Sequence, residues 1–120
     1  MKVRFLLDEN MSPQIKVALL RLNSAIDVLR VGDIDELPLG SLDPSVLYFL
    51  EHSKRMLITD NRASMPAHLE KHWSLGHHIY GLMWTRPNTS IGVLVEELFV
   101  IWEASEAEEW IDRLDWIPFN

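Results

Sequence analysis

Four aspartates fall where an apolar run ends or a helical one begins: Asp8, Asp33, Asp43 and Asp60. Carboxylates drawn together in a partly buried crevice repel one another, and a cation relieves the repulsion. Oxygen donors in a chain without cysteine select hard ions, Mg²⁺ or Mn²⁺, over zinc. One or two such ions activate water and stabilise charge in phosphoryl transfer, so the chemistry these acids suggest is phosphodiester hydrolysis. Asp8 is the expected anchor, with Asp43 and Asp60 as its catalytic companions and Asp33 as a further ligand. Each companion has a plainer alternative. Asp43 before Pro44 makes an ordinary helix N-cap, Asp60 before Asn61 a turn residue, and Asp33 after Gly32 a loop residue.

Two arginines stand where they could meet a phosphate. Arg62 follows the third apolar run and Arg86 the fourth, so both are expected to face the same crevice. The amides beside the acids, Asn10 and Asn61, complete the expected substrate contacts. Lys54 and Arg55 precede their strand and belong at the opposite end. The histidines carry less. His68 and His72 are four apart, and His77 and His78 follow, but HLEKH misplaces the glutamate of HExxH and no third ligand is identifiable. These read as exposed or satisfied side chains. No nucleophile-elbow serine motif, Walker loop or dinucleotide glycine pattern is present.

The elements that must position these groups follow from the alternation of patterns. The opening stretch VRFLL is bulky enough for a buried parallel strand and runs straight into Asp8-Glu9-Asn10. Ser12 offers an N-cap and Pro13 a first helical residue, predicting a helix over 13–22. Strands are expected over 25–31, 55–59 and 78–84, with helices over 43–53, from Met65 to Gly76, and from Ser90 to about 102. The tail reads as a short helix and then an extended segment near 114–118. Strands alternating with helices of this length imply right-handed crossovers, a mostly parallel four- to five-stranded sheet and a three-layer α/β/α domain. A strand order of 2-1-3-4 sets the first and third strands side by side. Asp8 and Asp60 would then be neighbours at the sheet's carboxyl edge, flanked by Asp33. The run IGVLVEELFVIW is apolar nearly all round, which predicts burial on two sides or a homodimer.

Length and composition bound the rest. A chain of 120 residues with 48% hydrophobic content makes one domain with a real core. No run approaches the ~20 apolar residues of a spanning helix, and Asp8 and Glu9 interrupt any signal-peptide core, so a cytoplasmic protein is expected. A net charge of −7 argues against broad non-specific grip on duplex nucleic acid. It is compatible with a nuclease whose acidic pocket is neutralised by cations.

Taken as a set, these segments resemble the small stand-alone PIN-like proteins of the PIN nuclease superfamily, related to toxin ribonucleases and the Mut7-C group. FLLDEN followed by Ser-Pro resembles their opening. VLRVGD, LDPSVLYFLE, MLITDNRASMP and the closing EEWIDRLDWIP follow in matching order. The resemblance covers essentially the whole chain. It implies a PIN-like fold, Mg²⁺- or Mn²⁺-dependent cleavage of RNA, and an antitoxin protein as partner. Carried over, Asp8 matches the first-strand acid, Asp43 the acid opening the second helix, and Asp33 a less defining acid. Aligned on Thr59, the family acid or amide falls at Asn61 and not at Asp60. The acid expected further on is replaced by Ala63, Ser64 and Met65. Two other functions stay open. One is a catalytically inactive PIN-like module that binds RNA or a partner. The other is a phospho-acceptor receiver domain, suggested by Asp8-Glu9, Asp60 and Thr85 but lacking any lysine after Thr85.

Overall fold

Apolar side chains alternate between the two faces of each strand, and that alternation builds two separate cores. Phe5 and Leu7, Met56 and Ile58, Met83 and Ile117 point to one side, while Leu6, Leu57, Leu82 and Trp84 point to the other. A strand buried on both faces is what a parallel sheet requires. The computed structural model describes residues 1–119. It holds β1 (Arg4–Leu7), α1 (Pro13–Leu22), β2 (Val28–Arg30), α2 (Asp43–Ser53), β3 (Arg55–Thr59), α3 (Met65–Ser74), β4 (Leu82–Thr85), α4 (Ile91–Ala104) and β5 (Leu114–Ile117), with a 3-10 turn at Ala107–Trp110. All strand pairs are parallel, in the order β2-β1-β3-β4-β5.

The first core takes Ile15 and Leu19 from α1 and Leu94, Val95, Leu98, Ile101 and Trp102 from α4. The second takes Val46, Leu47, Phe49 and Leu50 from α2 and Met65 and Leu69 from α3. The result is the expected α/β/α sandwich, with the predicted order of the first four strands and a fifth added at the β4 edge. Each fully buried Leu or Phe in these layers contributes about 1.5–3 kcal/mol.

Element boundaries moved where local bonding competes with the apolar pattern. β2 spans three residues rather than seven, because Asn23 Oδ1 accepts from the Ala25 amide and the chain turns there. β4 starts at Leu82, not His78. The amides of His78 and Ile79 go to Glu51 and Asp112, and Gly81 takes φ +101°, a conformation that ends regular pairing. α4 turns out to bury one side only: Val93 (39% exposed) and Val100 (56%) lie outside with Glu96. Among the described residues, no helix is long and apolar enough to cross a membrane.

Candidate functional site

β1 and β3 are adjacent, with Leu7 paired to Ile58, so the residues that follow each strand meet at the carboxyl edge of the sheet. The Asp8 amide continues the ladder by donating to Ile58 O at 3.1 Å. The Asp8 carboxylate is held at both oxygens. Oδ1 accepts from the Glu9 amide at 2.8 Å and Oδ2 from the Thr59 hydroxyl at 2.8 Å. Thr59 is fully buried, and its oxygen in turn accepts from the Asn61 amide at 3.0 Å.

From there the chain of bonds crosses to α2. Asn61 Nδ2 donates to Ser64 Oγ at 3.1 Å, and Ser64 Oγ donates to Asp43 Oδ2 at 2.7 Å. Asp8 and Asp43 are thereby joined through Thr59, Asn61 and Ser64. Asp43 is the first residue of α2, and Leu42 occupies the cap position without a side-chain bond. The N-cap reading of Asp43 is therefore corrected: its carboxylate is spent on Ser64, near the positive end of the helix dipole. His68 Nε2 approaches the same Asp43 oxygen at 4.0 Å.

The other expected acids go elsewhere. The bonded chain runs through Thr59 and Asn61 and bypasses the Asp60 side chain between them. Asp60 lines a neighbouring cavity of about 440 Å³ with Asn10, Arg62 and Arg86. Asp33 Oδ2 accepts from Lys16 Nζ at 2.6 Å and the Arg30 amide at 2.8 Å. Burial opposes its ionisation, and the Lys16 and Arg30 donors outweigh that and hold its pKa below the usual aspartate value. Asp33 is a structural ion pair here, apart from the Asp8–Asp43 chain. Among the described residues, no three acidic or histidine side chains form a ready-made metal group. A second cavity, about 380 Å³, is lined by Ser41, Leu42, Asp43, Pro44, Ser64 and His68.

Two positioning residues were not legible in the sequence. Arg30, at the end of β2, donates through Nε to Met11 O at 3.0 Å and through Nη2 to Glu9 O, which braces the loop carrying Asp8. Ser64 supplies the link from Asn61 to Asp43. Glu9 faces away from Asp8 and accepts from the Gly40 amide at 3.0 Å, tying in the loop before α2. Arg55 lies at the opposite end, as expected: it is buried and pairs with Asp27 at 2.8 Å. Of the four histidines between residues 68 and 78, three are satisfied, His72 by His78 O, His77 by Glu51 and His78 by Asp112.

The donors at this edge fit a hard divalent cation in kind. Two carboxylates, an amide carbonyl and a hydroxyl are all oxygen, and Mg²⁺ commonly binds through one or two carboxylates, completed by water and substrate phosphate. Comparison with family models, with curated proteins and with solved structures finds no match.

Proposed function

We propose that the chain is a PIN-like, Mg²⁺- or Mn²⁺-dependent endoribonuclease, acting at the carboxyl edge of β1 and β3. The observation that carries this reading is the bonded chain Asp8–Thr59–Asn61–Ser64–Asp43. Hydrogen bonds to both oxygens of Asp8 fix its orientation. Asp8 and Asp43 would hold the cation, with Asn61 Oδ1 and Ser64 Oγ as neutral oxygens beside them. When bound, the ion supplies Lewis-acid polarisation of a phosphodiester and a more acidic water. Thr59, at the end of a buried strand, keeps Asp8 from rotating away, and Arg30 keeps its loop in place. Arg62 and Arg86 supply positive charge on the side where the RNA backbone would run.

The purified protein is expected to cut single-stranded RNA with Mn²⁺ or Mg²⁺, and Asp8→Asn to abolish cutting. Equal rates for Asp8→Asn and parent would overturn the assignment. The presence of two carboxylates rather than three favours a second reading, a non-catalytic module that binds RNA or a partner in the same crevice. That reading predicts RNA binding without cleavage under every divalent ion tried. A toxin role with a small antitoxin partner, and a homodimer through the exposed side of α4, belong to the same proposal. Growth arrest on expression tests the first, and sedimentation equilibrium the second.

A further inference from the structure

The 440 Å³ cavity beside the acid chain has a construction of its own. Arg62 lies over the Trp116 ring at 4.5 Å from its centroid and over Trp84 at 5.3 Å. Arg86 lies over Trp116 at 5.5 Å, and its Nε donates to Pro118 O at 2.7 Å. Two guanidiniums thus share one indole, which β5 delivers at the sheet edge. Stacking on an aromatic face orients an arginine while leaving its outer N–H groups for a planar or tetrahedral oxyanion. Among the described residues, neither arginine has a carboxylate within ion-pair distance. Asn10, Thr85 and Thr89 add neutral polar groups to the lining, with Asp60 as its one acid. The first turns of α1 and α4 reach the same cavity through Ser12 and Ile91, adding the positive ends of two helix dipoles. In a chain of net charge −7, this lining carries two arginines against one aspartate.

We propose that this cavity is a phosphate subsite, which binds a phosphoryl oxyanion through Arg62 and Arg86 without a divalent cation. The inference deepens the ribonuclease reading by giving the RNA backbone a seat next to the acids, yet the binding it describes needs neither metal nor Asp8. The same chemistry would take a backbone phosphate of single-stranded RNA or the phosphate of a free nucleotide.

The test is a binding titration of the full chain in EDTA, with a short fluorescein-labelled oligouridylate read by anisotropy. Arg62→Ala and Arg86→Ala should each weaken binding by about 10-fold, the size of a lost charge-assisted contact. Each should also reduce the slope of log affinity against log salt by about 0.7. Arg62→Lys and Arg86→Lys, which keep the charge but lose the stacked fork, should retain the salt slope and bind more weakly than the parent. They serve if the alanine variants do not fold. Unlabelled AMP displacing the oligomer would identify a free nucleotide as sufficient, and displacement by oligouridylate alone would identify the backbone. Unchanged affinity and slope in Arg62→Ala/Arg86→Ala, or no binding by the parent, would overturn the subsite. Cleavage with an indifferent arginine pair would sink the subsite and leave the nuclease. Arginine-dependent binding without cleavage would do the reverse.

Discussion

The Thr59 hydroxyl donates to Asp8 Oδ2 at 2.8 Å while the same oxygen accepts from the Asn61 amide at 3.0 Å. One buried side chain at the end of β3 therefore orients both the acid after β1 and the turn after its own strand.

Thr59→Val keeps the shape and removes both bonds. It should cost about 1–3 kcal/mol of stability, since a part-buried carboxylate oxygen and an amide lose their partner. Cleavage should fall by about 10- to 100-fold, mostly in kcat, because a carboxylate displaced by an ångström is out of register with its substrate. Thr59→Ser should restore most of the rate. Single-turnover cleavage alongside a urea melt checks both.

Arg30 braces the Asp8 loop from β2 through two backbone carbonyls, Glu9 O and Met11 O. Arg30→Met retains the aliphatic stem and drops both contacts. The expected result is faster amide exchange at residues 9–11 and reduced cleavage, with the sheet amides of β1 and β3 unchanged. Hydrogen exchange read by mass spectrometry distinguishes this from a global loss of stability.

Asp112 ties the β4 approach to the end of α3. Its carboxylate accepts from the Ile79 amide at 2.9 Å and Trp73 Nε1 at 2.8 Å, and pairs with His78. Burial alone would raise its pKa, but these donors outweigh burial and hold it below the usual aspartate value. Asp33 is lowered in the same way by Lys16 and the Arg30 amide. A depressed folded pKa gives stability that is present above the unfolded value and is lost as pH falls through the folded one. Melting temperature should therefore be level above about pH 5 on account of these groups and drop below about pH 4. Asp112→Asn, which tolerates the left-handed φ of 58° at this position, should melt lower at neutral pH and show a shallower acid limb.

Gly81 has φ +101°, and a Cβ there would come within 3.0 Å of Trp110 Cβ and 3.2 Å of Met56 Cε. Gly81→Ala should destabilise by more than about 1 kcal/mol, from strain and crowding together. The position precedes β4, at the end of the sheet away from Asp8, so the residual folded protein should cleave at the parent's rate. A thermal melt and a cleavage assay below the transition test the two halves.

The fold was legible because period and punctuation agreed. Pro13, Pro44 and Pro66 mark helix starts, Ser12 and Ser90 cap as expected, and the strands read as short apolar runs between them. Asp8 could be singled out because a carboxylate directly after a buried strand has one exit. Asp60 could not be told from Asn61 by position alone. Asn61 joins the bonded chain through Thr59, whose own bond goes to a partner 51 residues away in the chain. Ser64 and Arg30 escaped for the same reason, as their roles exist only through contacts between elements. Trp116 belongs with them, because its value to Arg62 and Arg86 appears only once β5 pairs with β4.

Calorimetric titration of the folded protein with Mn²⁺ reads whether Asp8 and Asp43 together hold a hard cation. One site is expected, with affinity on the order of a millimolar or tighter, lost in Asp8→Asn and weakened in Asp43→Asn. No binding heat in the parent, or equal binding by the parent and Asp8→Asn, would contradict it.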